Sequence, residues 1–350
     1  MREVTPETAA AYLWETGRVP EGRAVVARAL GWGVSNIVMR VDVEGEPPIV
    51  LKQARERLRT KMLWVSRLER VWTEQAALEL LADLLLEGAV PRVLFADPDN
   101  YLFAMTCAPD DSVVWKEQLL LGEADLAVAR QAGLILGAMH AETVGHPALR
   151  GPLADTTVFD QLRIDPFYRT VAGSHPDLAA PLEVLTDETM SVPVPTFVHA
   201  DFSPKNILVH GQGLTVVDFE TAHAGDPAFD LGFFLSHLLL KAVRARPHDG
   251  PYLGLIRAFW DAYHERLRDA LDADPDLVRR AIAHTAACAL ARVDGKSPVD
   301  YLDADAQAAV RRFAPAVLLA APERWEELLR IAAREMHIIP YSDEQEAGTS

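Results

Sequence analysis

The sequence predicts an α+β chain of two lobes: a small antiparallel-sheet lobe at the N-terminus and a larger, mainly helical lobe after it. Alternating apolar residues dominate before Cys107, and apolar stretches with helical spacing dominate after it. One strand-rich island, Thr196 to Asp218, interrupts the helices.

Thr5 to Glu15 reads as a helix, with Thr5 as N-cap and Pro6 in the first helical position. From Val34 to Val43 the residues Ile37, Met39, Val41 and Val43 share one face of a strand. The turn Glu44-Gly45-Glu46-Pro47-Pro48 leads into a second strand, Ile49-Val50-Leu51-Lys52, giving an antiparallel hairpin. Leu68 to Leu86, rich in Leu, Ala and Glu, is the next helix. Strands near Val93–Ala96 and Tyr101–Met105 flank the turn Asp97-Pro98-Asp99-Asn100. The polar break Ala108-Pro109-Asp110-Asp111-Ser112 divides lobe 1–107 from lobe 108–340, with a polar, frayed tail expected over 341–350. The second lobe holds helices at Glu123–Glu142, Asp230–Val243, Tyr252–Leu271, Pro275–Arg292 and Pro322–Arg334. Its strands are Thr196–His199, Ile207–His210 and Leu214–Asp218.

The net charge of −17 over 350 residues disfavours a nucleic-acid partner. It suits a cationic ligand, and equally it serves solubility alone. The two cysteines, Cys107 and Cys288, are too few for a disulfide framework and read as small buried hydrophobes. The N-terminus lacks a basic start followed by an apolar run. The most apolar stretch, Leu231 to Val243, is broken by Ser236, His237 and Lys241, so no membrane span is expected. The cytoplasm is the expected compartment, and monomer and homodimer both remain open.

Several residue groups point to chemistry. Gly31-Trp32-Gly33-Val34-Ser35-Asn36 opens the first hairpin strand; Gly31, Gly33, Ser35 and Asn36 can let the backbone approach phosphates, or mark a simple turn. Lys52 ends an apolar strand and can reach water or a nucleotide phosphate. Glu74 is its expected partner, preferred over Glu69 and Glu79 because it lies between Val71 and Leu78 on the apolar side of its helix. His199-Ala200-Asp201 follows the apolar pair Phe197-Val198, and Asn206 stands five positions after Asp201. Val216-Val217-Asp218-Phe219-Glu220 ends the next strand. Two carboxylates and an amide thus meet on adjacent strand ends, an oxygen set that suits magnesium.

This is the set that phosphoryl transfer from ATP to a hydroxyl requires. Asp201 accepts the hydroxyl proton, Asn206 and Asp218 hold Mg2+, and Lys52, oriented by Glu74, touches the phosphates. Backbone near Met105 and Cys107 would recognise the base. Asp230, in Gly225-Asp226-Pro227-Ala228-Phe229-Asp230, is expected to cap its helix or to brace the Asp201 loop from beneath.

The segments His199–Asn206, Asp218-Phe219-Glu220 and Gly225–Asp230 resemble the aminoglycoside phosphotransferase and choline kinase superfamily, whose fold is protein-kinase-like. The resemblance runs from Gly31 to Asp230, and the helices to Arg334 fit the same plan. It implies ATP, magnesium, a base at Asp201, metal ligands at Asn206 and Asp218, a phosphate-binding Lys52, and an added metal contact at Glu220. Lys52-Gln53-Ala54, Trp64, Leu68-Glu69-Arg70, Val114-Trp115-Lys116-Glu117 and Leu119–Gly122 resemble the methylthioribose kinases within it. Those enzymes carry an adjacent arginine pair late in the chain; here Ala291-Arg292 stands instead, and Phe219 replaces an expected proline.

Trp64, His223, Arg292 and Asp294 are the candidate lining of the acceptor pocket, each with a plain structural alternative. A neutral or weakly cationic sugar, polyol, amino alcohol or aminoglycoside is the expected small-molecule substrate. Eleven positions between Asp218 and Asp230 leave little room for a peptide platform. The rival readings are a nucleotide-binding protein without turnover and a metal-dependent hydrolase. The first has no use for all four of Lys52, Asp201, Asn206 and Asp218, and the second lacks closely spaced histidine ligands.

Overall fold

The computed structural model describes residues 1–31, 36–55, 67–267 and 274–338. Gly33, Ser35, Trp64 and the tail 341–350, singled out in the sequence, lie outside the described residues.

The N-terminal part is a five-stranded antiparallel sheet in the order β1-β2-β3-β5-β4. Its strands are β1 (Val25–Ala29), β2 (Asn36–Val43), β3 (Ile49–Ala54), β4 (Val93–Asp97) and β5 (Leu102–Thr106). Strand alternation sorts the apolar side chains between two cores. Ile37, Met39, Val41 and Val43 of β2, with Leu51 of β3, pack on Tyr12 and Leu13 of helix α1 (Ala9–Glu15). Val50 and Phe103, of the opposite parity, join the main core with Val71, Leu78 and Leu81 of helix α2 (Arg70–Leu84). Lys52 has the parity of Val50 and so faces α2. Thr5 does not cap α1, which starts at Ala9; Thr5 and Thr8 form a turn in which the Thr5 amide donates to Thr8 Oγ1 at 2.9 Å.

The remainder is mainly helical. Helices α3 (Trp115–Leu121), α4 (Leu126–Ala141), α5 (Ala179–Met190), α6 (Pro227–Ala245), α7 (Gly250–His264), α8 (Leu277–Asp294), α9 (Ala304–Ala320) and α10 (Trp325–Met336) surround two small sheets. One pairs β7 (Thr196–Val198) with β10 (His223–Gly225); the other joins β6 (Val113–Val114), β8 (Ile207–His210) and β9 (Gly213–Val216). Together they present the ends of β7, β8 and β9 to the cleft below the large sheet.

Helix α6 is buried on every side from Pro227 to Val243, the mark of a central helix. Its N-cap is Asp226, whose carboxylate accepts from the Ala228 amide; Asp230 sits one turn further on. Two close crossings require glycine. A Cβ on Gly232 of α6 would lie 2.2 Å from the Cβ of His284 on α8, and one on Gly133 of α4 would lie 2.3 Å from the carbonyl oxygen of Phe259 on α7. Arg280 of α8 ties the same region with 2.7 Å ion pairs to Asp226 and Asp274.

The elements the sequence did not suggest include β1, β6, β10, α3, the winding from Thr157 to Ser174, α5 and α9. The winding includes a wide helix, Asp160–Arg169, with Pro166 inside it, and α9 contains Pro315. Proline reads as a breaker, and a wide helix does not repeat every 3.6 residues.

The core also holds neutral histidines. Burial pushes the His223 imidazole down to about 4, and burial with repulsion from Arg280 pushes His284 down to about 3. The unfolded chain takes up a proton on each near pH 6.5, before the folded chain can. Below that pH the unfolded state binds more protons, so the stability these groups contribute is complete above about pH 6.5 and lost as pH falls. Denaturant titrations at pH 7.5 and 5.0 are expected to differ by about 1–2 kcal/mol for each such histidine. His284→Gln should narrow that gap; an unchanged gap would exclude His284 as a source.

Candidate active site

Lys52 ends the buried face of β3, and its ammonium lies 2.6 Å from Glu74 Oε2 and 2.7 Å from Asp218 Oδ1. The Lys52 and Glu74 side chains are 4% and 1% exposed, so water does little to screen this pair. Burial opposes the charge on Lys52, but Asp218 and Glu74 outweigh it and hold the ammonium protonated far above its ordinary range. Burial also opposes ionisation of Asp218, and here Lys52 and then Lys205 win, keeping the carboxyl well below the usual range. Burial pushes the Glu74 carboxyl up to about 7, with Lys52 pulling the other way. Glu74 Oε1 accepts from the Phe219 amide at 3.3 Å, so it grips both the lysine and the segment carrying Asp218.

The second loop is held from below. Asp230 accepts from the amides of His199 and Ala200, both at 2.7 Å. Ala200 takes φ +60° and Asp218 φ +71°, unfavourable for side-chain-bearing residues and here fixed by their surroundings. Asp201 is locked on both oxygens: Oδ1 pairs with Arg163 at 2.8 Å, and Oδ2 accepts from Asn206 Nδ2 at 2.8 Å. Arg163 Nε also donates to the Ala200 carbonyl, so one guanidinium positions both backbone and carboxylate. The Asn206 Oδ1 atom is buried and has no hydrogen-bond partner.

Beside these groups lies a cleft of about 290 Å³, lined by Val38, Lys52, Met105, Cys107, Lys205, Asn206 and Asp218 among others. Its walls come from both the large sheet and the strand ends of the second lobe, and its rim includes the linker Thr106–Asp110. The structure therefore brings Lys52, Glu74, Asp201, Asn206, Asp218, Met105 and Cys107 together.

Other expected site residues have different neighbours. Glu220, expected to contact metal, has Oε2 committed to Arg70 Nε at 3.0 Å and Asn36 Nδ2 at 2.8 Å. Asn36, expected near phosphates, is thereby a strut between β2 and the Asp218 segment, although it also lines the cleft. Gly31 borders a separate hollow beside Thr5 and Pro6. His223 is a core side chain, stacked on Phe159 with ring centroids 4.2 Å apart and 2% exposed. Asp294 pairs with His175 at 2.8 Å and Arg311 at 2.7 Å, tying α8 to its neighbours. Arg292 does stand near the site, feeling the charges of Asp201 and Arg163.

Sequence reasoning missed Arg163, Arg70 and Lys205. Arg163 sits on the wide helix, where 3.6-residue periodicity assigns no face. Arg70 is fully buried in the first turn of α2, and its partner Glu220 lies far away in the chain, so no local pattern announced the pair.

A family model described as a phosphotransferase enzyme family matches residues 26–272. The chain belongs to that family. It is a small-molecule kinase, with a kinase-like fold. The methylthioribose kinase of Bacillus thuringiensis is 26% identical over 290 residues, covering 75% of this chain and 72% of that protein. A choline/ethanolamine kinase family protein from Mesorhizobium loti has a similar structure, with TM-score 0.52 at 18% identity over 95% of this chain and 99% of that one. Amicoumacin kinase in complex with AMP-PNP and Ca2+ gives TM-score 0.53 at 14% identity, over 91% and 97% of the two chains.

Asp230→Ala removes the acceptor for two buried amides, a loss expected to cost this kinase about 2–4 kcal/mol. A denaturant midpoint within error of the parent chain would contradict the bracing role.

Proposed function

We propose that this kinase transfers the γ-phosphoryl group of ATP, with magnesium, to a hydroxyl of a small molecule, and that Asp201 is the base. The observation that carries the reading is the unpartnered, buried Asn206 Oδ1 in a cleft shared with Asp218 and the Lys52–Glu74 pair. An oxygen acceptor left without a donor inside a protein is free to take a cation or a water, and beside the Asp218 carboxylate a cation is favoured. Among the described residues no cluster of three or more His, Cys, Asp or Glu side chains could form a metal cage. That fits magnesium, which keeps waters and shares its sphere with substrate phosphates. Asn206 and Asp218 would hold the ion, which when bound would neutralise charge on the phosphate oxygens. The amicoumacin kinase complex with AMP-PNP and Ca2+ supports a nucleotide and a divalent ion in this fold.

The chain's own groups divide the remaining work. Lys52, held by Glu74, meets the phosphates, and Lys205 on the cleft wall offers a second cation. Backbone of the linker near Met105 and Cys107 receives the base. Asp201, fixed by Arg163 and Asn206, takes the proton as the acceptor oxygen bonds to the γ-phosphorus and the bond to the β-phosphate oxygen breaks, releasing ADP. This reading sets the lobe boundary in the polar segment after Cys107, with lobes 1–107 and 108–340. It makes the cytoplasm the working compartment; no described helix is long and apolar enough to cross a membrane.

Asp201→Asn is expected to lower kcat by about 100-fold or more with little change in nucleotide affinity. Parental turnover by this variant, on any acceptor the parent accepts, would refute the base assignment. Asp218→Ala should abolish the magnesium dependence of nucleotide binding in calorimetry; equal affinity with and without magnesium in the parent chain would remove the metal role.

A further inference from the structure

Arg163 and Arg292 stand near Asp201, and two further cations, Lys116 and Lys241, gather round Tyr301 beside Arg292. Arg163 and Arg292 flank one ring, their guanidinium carbons 5.9 and 6.0 Å from the centre of Phe167. Lys116 and Lys241 share another, with ammonium nitrogens 5.8 and 5.4 Å from the centre of Tyr301. Arg292 links the two groups, feeling the charge of Asp201 on one side and the Tyr301 hydroxyl on the other. Lys116, Lys241 and Arg292 belong to α3, α6 and α8 respectively.

Arg163 is satisfied by Asp201, but among the described residues Lys116, Lys241 and Arg292 have no carboxylate partner. Lys241 is 2% exposed and its ammonium donates only to the His237 carbonyl at 3.2 Å. Arg292 Nε and the Tyr301 hydroxyl are buried with no hydrogen-bond partner. Asp300, beside Tyr301, is exposed to solvent. A buried lysine without an anion is costly, and burial, together with Lys116 and Arg292, pushes Lys241 down to about 7. Lys116 and Arg292 are half-buried, less enclosed than Lys241.

We propose that the acceptor whose hydroxyl is phosphorylated also carries an anionic group, a carboxylate or a phosphate ester, received by Lys116, Lys241 and Arg292. This rests on the kinase reading above and narrows its substrate class. It reverses the expectation of a neutral or cationic acceptor drawn from the overall charge of −17. The anion would supply the missing counter-charge and set the hydroxyl toward Asp201, with Tyr301 and the Arg292 Nε as further donors.

The test uses the whole chain with its nucleotide site filled by AMP-PNP and Mg2+, so that phosphate subsites of the nucleotide are taken. Glycerol, D-glycerate and glycerol 3-phosphate share a skeleton and differ in charge, and calorimetry ranks them. At least one anion should bind about tenfold or more tighter than glycerol, the carboxylate and phosphate arms identifying which group is preferred. Lys241→Met and, separately, the half-buried Lys116→Met should erase that advantage. Lys241→Met should also leave the melting temperature without acceptor unchanged or higher, since it removes an unpaired buried charge; a purely structural lysine would give the opposite sign. Equal binding of all three compounds, or anion binding unaffected in both variants, overturns the proposal. Failure of AMP-PNP and Mg2+ to bind at all would instead sink the kinase reading.

Discussion

Burying Lys52 between Glu74 and Asp218 ties together three distant parts of the chain: strand β3, helix α2 and the segment after β9. Each charge alone would be expensive to bury, and removing one partner of such a group costs about 3–5 kcal/mol. The cleft exists because the three are present together. The lysine cannot leave Glu74 without stranding a carboxylate in the core, and Glu74 reinforces the arrangement by receiving the Phe219 amide. The large sheet and the second lobe are therefore joined through the groups proposed to meet the nucleotide, so positioning and stability come from one interaction.

A second constraint sets the height of Asp201. The loop must turn through a left-handed residue, Ala200, to present the aspartate at the cleft, and that backbone is held by Asp230 below and Arg163 above. Asp230 in turn belongs to α6, the helix buried on every side, whose approach to α8 depends on Gly232. A chain of contacts thus runs from helix packing to the carboxylate proposed as the base. Asp201 is the upper end of a rigid stack and not a side chain on a free loop, which matters for the proposed reaction, whose rate depends on sub-ångström placement.

Much of this was legible because the constraints are local. The alternation of β2 and the turn before the apolar run of β3 gave the hairpin, Lys52 stood out at the end of that run, and the position of Glu74 among Val71 and Leu78 distinguished it from Glu69 and Glu79. Asp201 and Asn206 lie five residues apart, so their meeting could be read from spacing. What could not be read depends on distant packing. Arg163 reaches Asp201 from a wide helix with no ordinary period, Arg70 meets Glu220 across 150 positions, and His223 looks polar in sequence yet stacks on Phe159 in the core. Asp294 stands two positions after Arg292, but residues two apart on a helix face different directions, and Asp294 turns to His175 and Arg311.

Charge gives the sharpest contrast between sum and location. An excess of acids over the whole chain suggests a surface hospitable to cations, yet surface acids are screened within about 10 Å at ordinary salt. Inside the second lobe screening is weak, and there the balance has the opposite sign: Lys116, Lys241 and Arg292 gather round Tyr301 with no carboxylate partner among the described residues. Folding alone gains nothing from that arrangement, since an apolar residue in place of Lys241 would fill the same space without the charge. A cost retained beside the proposed base, in the space between three helices, points to a ligand that removes it. The character of the acceptor is then written in the local field next to Asp201, and the overall charge of the chain says nothing about it.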